Sequence, residues 1–247
     1  VLKHLPRRYK GVDIFVDKNG NWHANGLPLL PEQISRKVDV VFNALHGYYG
    51  EDGKVQRVLE RFNVPFTGSD SFSSAIGMNK LLTKKSFLKY KLKTPAYATI
   101  RSTDDVRGVT AKTFRALSRP WVVKPLVGGS SVGVSIADTF EKLSTSIEKA
   151  LQHDTSVIVE EYIQGREATC GVIDGFRGEQ YYALPPIEII PPRDNLFFDY
   201  NAKYGGQTRE ICPSNFSAHE KKEIMRAAVL AHQAVGARHY SRSDFIV

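Results

Sequence analysis

A chain of 247 residues, 42% hydrophobic and 24% charged, can bury a sizeable core and has the balance of an ordinary globular protein, not a disordered or fibrous one. No apolar run approaches the ~18–20 residues that cross a bilayer, and two cysteines, Cys170 and Cys212, with few histidines near them, make neither a disulfide framework nor a zinc site. The formal charge of +8 comes from lysines and arginines spread along the whole length; no nucleic-acid recognition module accompanies them, and a small polyphosphate ligand accounts for a positive balance equally well.

The first ten residues, Val1 to Lys10, are basic, but no apolar core or small-residue cleavage site follows, so they do not read as a signal peptide. Asn215-Phe216-Ser217 matches a glycosylation sequon and, lacking a secretion signal, is taken as chance; a cytoplasmic location is the default. Val12 to Val16 alternates and ends in Asp17-Lys18-Asn19-Gly20, a turn signal before Trp22. Val38 to Leu45 reads as a buried strand, followed by a glycine-rich loop from Gly47 to Gly53. A helix then runs from Asp52 or Gly53 through Phe62, with Val55, Val58, Leu59 and Phe62 on one face. Val64 to Gly68 is a short strand and turn, and residues 70–92 are helical in two segments broken near Gly77. This alternation of strand, loop and helix predicts an α/β layer with a mainly parallel sheet. The densest lysine group, Lys80, Lys84, Lys85, Lys89, Lys91 and Lys93, falls on the second helical segment, where a solvated face is its ordinary fate.

The pattern then changes. Pro95 to Arg101 reads as a strand, Thr110 to Ser118 as a short helix and Trp121 to Lys124 as a strand ending at Pro125. A second glycine-rich loop, Val127 to Gly133, leads into a strand at Val134 to Ala137, and Thr139 caps a helix that reaches Gln152. Val157 to Tyr162 is a strand broken at Gln164-Gly165, and Glu167 to Ile173 and Gln180 to Leu184 look like antiparallel strands. Pro191 to Pro213 is long, polar and irregular, which inside a compact domain signals a functional loop. An amphipathic helix spans Ser217 to Val235, Gly236 ends it, and a strand begins at Tyr240.

Three glycines and two serines in Val127 to Gly133 let backbone amides and hydroxyls approach an anion closely. This loop is not a Walker A sequence, because no Lys-Ser/Thr follows Gly133, nor a dinucleotide fingerprint, because Ser130 stands where the middle glycine would be. Flanking strands make it a hairpin loop; taken alone it is equally a flexible turn, and Lys124 at the end of the preceding strand favours a phosphate cradle.

Taken together, His46-Gly47-Tyr48-Tyr49-Gly50-Glu51-Asp52-Gly53, Met78-Asn79-Lys80, Val123-Lys124-Pro125, Gly129 to Gly133, Glu160-Glu161-Tyr162-Ile163, Gly165-Arg166-Glu167 and Ala202-Lys203-Tyr204 follow in the order and spacing of one family. From Val12 onward the chain resembles the D-alanine–D-alanine ligases of the ATP-grasp superfamily. The fold class so implied combines α/β and α+β: an ATP-grasp architecture with a partial Rossmann-like N-terminal domain (1–79), a small central α+β domain carrying the glycine-rich loop (80–165) and a truncated C-terminal α+β domain (166–247).

The resemblance also assigns roles. Lys80 and Lys124 match two lysines that reach the ATP phosphates, and Gly129, Ser130, Ser131 and Val132 belong to the loop covering them. Glu160 to Ile163 matches the strand lining the adenine, with backbone groups of Glu161 and Ile163 on the base edge, and Glu167 matches the carboxylate taking the ribose hydroxyls. A carboxylate paired with Arg166 or another cation is the competing reading of Glu167. Asp244 would ligate Mg²⁺ (or Mn²⁺), and Arg242 would stabilise charge on the acyl phosphate and tetrahedral intermediate; two residues apart on one strand, they are alternatively a simple ion pair. His46 and Glu51 would orient substrate, although a charge near a helix N-terminus also explains Glu51. Phe197 to Gln207 matches a mobile lid, in which Lys203 meets the transferring phosphate and Tyr204, with Ser130, contacts the substrate end.

The implied reaction has two steps: one D-alanine carboxylate takes the ATP γ-phosphate, and the amine of a second D-alanine then displaces phosphate, yielding a dipeptide for peptidoglycan synthesis. ATP and D-alanine are the expected partners, with no nucleic acid and no membrane, in a homodimer. The family's opening strand with a substrate-binding glutamate, and a later strand bearing Glu and Asn as further Mg²⁺ ligands, have no match here, so the chain is expected to be part of a complete enzyme. Another ATP-grasp ligase, a D-alanyl ester-forming one included, and a non-catalytic nucleotide-binding remnant are the alternatives.

Overall fold

Alternation at the start of the chain closes into a three-stranded antiparallel meander of β1 (Ile14–Val16), β2 (Trp22–Ala24) and β3 (Leu27–Leu29). The Asp17 carboxylate makes the first turn, accepting from the Asn19 and Asn21 amides at 2.8 and 2.9 Å and from the Asn21 side chain at 3.0 Å. Those bonds, the Asn21 side chain foremost, hold its carboxyl at about 2. These strands belong to a computed structural model that describes residues 2–129, 132–191 and 208–247 and divides into two compact units, Val1–Thr67 and Gly68–Val247.

In the first unit α1 (Lys54–Arg61) lays Val55 and Leu59 on Trp22, Leu29, Ile34 and Val64. Fully burying such side chains stabilises by roughly 1.5–3 kcal/mol each. The strand expected at Val38 to Leu45 is absent. One parallel bridge, Val41 to Phe66, is what remains of it, and Val40 and Phe42 are 56% and 57% exposed. A buried parallel strand needs neighbours along its length and cover on both faces. Here Asn43 diverts the backbone instead: its side chain accepts from the Leu45 amide at 3.1 Å and donates to the Gly50 carbonyl at 3.0 Å. The mainly parallel sheet predicted for this region is therefore replaced by an antiparallel meander and a bridge.

The second unit opens with α2 (Ser71–Met78) and α3 (Lys80–Lys89), which break at Asn79, two residues past Gly77. The Asn79 side chain accepts from the Leu81 and Leu82 amides, both at 3.1 Å, and so caps α3. An antiparallel sheet follows, in the order β4 (Tyr97–Arg101), β7 (Ser156–Glu161), β5 (Trp121–Pro125), β6 (Ser135–Ala137). Its core face packs Ile100, Trp121, Val123, Val157 and Val159 against α5 (Phe140–Leu151), with α4 (Val106–Ala116) beside it. The predicted cap is present: Thr139 accepts from the Lys142 amide at 3.2 Å.

A second antiparallel sheet runs β11 (Arg209–Ile211), β10 (Ile187–Ile190), β8 (Glu167–Asp174), β12 (Tyr240–Ile246), with β9 (Tyr181–Ala183) also on β8. Helix α6 (Ala218–Ala234) covers one face, burying Ile224 and Ala228 on Ala168, Cys170 and Val172. Its N-terminus carries a capping box, Ser217 accepting from the Glu220 amide at 3.2 Å and Glu220 from the Ser217 amide at 2.6 Å. The opposite face is left to β8, β10 and β12. Direct pairing of Glu167 with Ile246 and Ile189, and of Thr169 with Asp244, puts these five side chains on it. No helix among the described residues is long and apolar enough to cross a membrane.

Candidate nucleotide-binding cleft

A cleft of about 480 Å³ lies between the uncovered faces of the two sheets of the second unit. Val122 and Lys124 line it from β5, Glu160 and Glu161 from β7, Tyr162 and Ile163 from the segment leaving β7, and Glu167, Ile189 and Ile246 from β8, β10 and β12. Strand alternation explains Val122, Lys124 and Glu160. Trp121, Val123, Val157 and Val159 point into the helix-covered core, so Val122, Lys124, Ile158 and Glu160 must point the other way, in the register Val122 to Glu160 and Lys124 to Ile158.

Charge in the cleft is organised around Glu160, whose side chain is 7% exposed. One oxygen meets Lys124 Nζ at 2.5 Å and the other meets Lys84 Nζ at 2.7 Å. Burial by itself would raise this carboxyl, but the two lysines outweigh it and hold Glu160 below the usual carboxylate range. Lys84 is lowered too, but by the opposite balance: burial draws its ammonium down and outweighs the pull of Glu160. Lys80 sits one turn earlier on α3 and donates to the carbonyls of Pro125 and Gly128, both at 2.9 Å, at the root of the glycine-rich loop. Burial, then repulsion from Lys124, lowers it to about 8. Two cations therefore converge beside the loop, as polyphosphate binding requires. Gly133 closes the loop at φ +70°, where an added Cβ would stand 2.8 Å from Pro125 Cγ.

The adenine-lining expectation narrows. The Glu161 amide donates to the Ala96 carbonyl at 3.0 Å, and its carboxylate accepts from the Ala96 amide at 2.8 Å, so that amide is not available to a base edge. Ile163, 39% exposed, supplies apolar surface at the same rim. Arg166 pairs with Glu188. It makes two bonds to Glu188 Oε1, at 3.0 and 2.7 Å, and stacks 4.1 Å from the Phe216 ring. The second Glu188 oxygen accepts from the Asn215 amide at 3.0 Å; against burial, these bonds hold the carboxyl low.

Arg242 and Asp244 lie side by side on the uncovered face of β12, Nε to Oδ1 3.5 Å, at 68% and 66% exposure. The described residues contain no group of three His, Cys, Asp or Glu side chains able to hold a metal ion. Mg²⁺ typically takes one or two carboxylates, with phosphate and water oxygens completing the shell. Asp244 alone thus fits one protein ligand of such a site and no more.

His46 and Glu51 belong to the first unit, where the Glu51 carboxylate accepts from the Gly47 amide at 2.5 Å and closes its own loop. Ser130, Ser131, Lys203 and Tyr204 lie outside the described residues; Gly129, beside the first two, is exposed, and Val132 is 51% exposed. Sequence reasoning overlooked Lys84 and Glu188. Lys84 had one signal, its place four residues after Lys80 on a helix, and Glu188 had another, a lone charge within the apolar run Ile187 to Ile190.

The family model described as "D-ala D-ala ligase C-terminus" matches residues 87–247, and the one described as "D-ala D-ala ligase N-terminus" matches residues 26–69. A D-alanine–D-alanine ligase of Geobacter sulfurreducens is 39% identical over 250 aligned residues, which cover 100% of this chain and 72% of that protein. Its counterpart in Halalkalibacterium halodurans is 38% identical, covering 96% of this chain and 77% of that one. Among solved structures, the Bacillus anthracis D-alanine–D-alanine ligase complexed with ATP superposes with a TM-score of 0.73 at 31% identity, over 87% of this chain and 66% of that one. The VanG D-Ala:D-Ser ligase of Enterococcus faecalis gives 0.77 at 30% identity, over 95% and 66%.

Proposed function

The chain belongs to the D-alanine–D-alanine ligase family of ATP-dependent ligases, and from this we propose that it carries the nucleotide site of an enzyme joining two D-alanine molecules through an acyl phosphate, for peptidoglycan precursor synthesis. The observation that carries the reading is the convergence of Lys124, Glu160, Glu161, Ile163 and Glu167 on one cleft whose cationic end adjoins the glycine-rich loop. Adenine would lie against Val122, Ile163, Ile189 and Ile246, the ribose near Glu167, and the phosphates toward Lys124 and Lys80.

Phosphoryl transfer asks for little covalent help from the protein, so the work of these residues is positioning and charge compensation. Lys80 and Lys124 would fix the phosphates while a D-alanine carboxylate oxygen attacks the γ-phosphorus and ADP departs. Arg242, open to solvent beside the cleft strand, would stabilise the charge that develops as the second amine adds and phosphate leaves. Mg²⁺, when bound, would neutralise charge on the phosphates, with Asp244 as one ligand. Lys203, Tyr204 and Ser130 would close the substrate end, and His46 and Glu51 would orient substrate. A lid there would exclude water from an intermediate that hydrolyses readily. We also place the enzyme in the cytoplasm as a homodimer; sedimentation of the complete protein checks the latter.

The test is product formation by the complete enzyme given ATP, Mg²⁺ and one amino acid at a time. D-alanine should yield dipeptide and phosphate in equal amounts, and L-alanine neither. Ester formation with added D-lactate would move the assignment to the ester-forming ligases, and preferential capture of D-serine would move it toward the D-Ala:D-Ser reaction named for the Enterococcus neighbour.

A further inference from the structure

We propose that Lys84 is a positioning residue of the nucleotide site: by occupying one oxygen of buried Glu160, it keeps Lys124 from being neutralised and leaves that ammonium's positive charge to the phosphates. The inference rests on the cleft being the nucleotide site. It begins from a donor count. An ammonium has three N–H groups, and Lys84 has three acceptors: Glu160 Oε1 at 2.7 Å, Thr94 Oγ1 at 2.6 Å and the Pro95 carbonyl at 3.0 Å. Its side chain is 7% exposed. Lys84 therefore has no donor to offer a ligand, unlike Lys124, which is 29% exposed and has Glu160 as its recorded ion-pair partner.

Charge gives the second step. Two lysines against one carboxylate leave the trio Lys84, Glu160 and Lys124 with one positive charge, and Lys124 is the lysine of the trio that lines the cleft. Without Lys84, Glu160 and Lys124 would form a closed neutral pair at 2.5 Å, and phosphate would have to compete with a buried carboxylate for the same ammonium. Geometry gives the third. Lys80 and Lys84 are four residues apart on α3, one reaching the root of the glycine-rich loop and the other Glu160. A single helix thus sets the loop and the charge of Lys124 together. Thr94 and Pro95 brace it from the segment leading into β4, and Pro95 itself lines the cleft.

The test is calorimetric titration of ATP with Mg²⁺ into the complete protein and its variants. Lys84→Met keeps the stem and removes the charge; the proposal expects the ATP Kd to rise at least ~10-fold. Adding Glu160→Gln removes the competing carboxylate, so the double variant should recover most of that loss. A structural role for Lys84 would give no such recovery. Wild-type-like affinity in Lys84→Met, or a double variant weaker than the single one, overturns the proposal while leaving the nucleotide site standing. Absence of ATP binding by the wild type removes both. Should Lys84→Met fail to fold, the comparison becomes Glu160→Gln against the double variant. With the carboxylate neutral, Lys84 has no charge to hold away from Lys124, and the two should agree within ~2-fold; a further ~10-fold loss overturns the proposal.

Discussion

Three lysines within reach of one cleft differ in what surrounds them, and their differences set what each can do. Lys80, lowered by burial and by Lys124 to about 8, changes its charge near physiological pH. Its folded pKa lies below the ordinary 10.5, so the cost of keeping it charged in the folded protein is fully present below about 8 and is relieved as pH rises toward 10.5. Phosphate demands the charged form, so ATP affinity should fall as pH passes upward through about 8, and binding near that pH should take up a proton. Lys80→Arg, charged throughout, should bind with a flat profile; titrations at several pH values, in buffers of differing ionisation enthalpy, read both effects. Lys124→Ala is expected to weaken ATP binding ~10–100-fold, the worth of a charge-assisted hydrogen bond of about 1.5–3 kcal/mol. Glu160 keeps Lys84 in that variant, so unfolding midpoints should fall less than ATP affinity does.

At the scale of elements, the sequence announces what depends on local chemistry and hides what depends on partners. The cap at Thr139 and the stop at Gly236 are legible because a side chain or a positive φ satisfies groups within a few residues, whereas the capping box at Ser217 reads only as the start of a helix. Ser217→Ala should cost α6 about 1 kcal/mol, seen as an earlier denaturation midpoint with far-UV dichroism otherwise unchanged. Val38 to Leu45 reads as a strand by composition, yet a strand is a property of its neighbours, and Phe66 is the partner recorded for it. Ile187 to Ile190 was hidden for the converse reason. Two prolines precede it and one polar residue interrupts it, but β8 and β11 recruit it as an inner strand, with Glu188 held by Arg166 and Asn215. At the lip of the cleft, a Cβ on Gly165 would stand 2.6 Å from Ile246 Cγ2 and from the Val247 carbonyl oxygen. Gly165→Ala should therefore push the end of β12 off β8 and weaken ATP binding, with α6 and its core left folded; hydrogen exchange at Arg166 and Val247, whose amides donate to each other's carbonyls at 2.9 Å, reports the shift.

For the whole molecule, the charge of +8 has a local meaning. Much of it lies on exposed surface, while a small part, Lys80, Lys84 and Lys124 against Glu160, is concentrated at one end of a cleft. Motifs spread from His46 to Glu167 could be ordered along the chain from sequence, but alternation alone could not reveal that Glu160 faces two lysines, because those partners come from α3 and β5, 76 and 36 residues away. In the proposed site the nucleotide lies between the β5–β7 and β8–β10–β12 faces. Photolabelling the complete protein with 8-azido-ATP, followed by peptide mapping, tests it most directly. Label confined to residues 160–167, 187–191 and 244–247, and lost on adding excess ATP, is the predicted result. ATP-protected label concentrated elsewhere in the chain would contradict it.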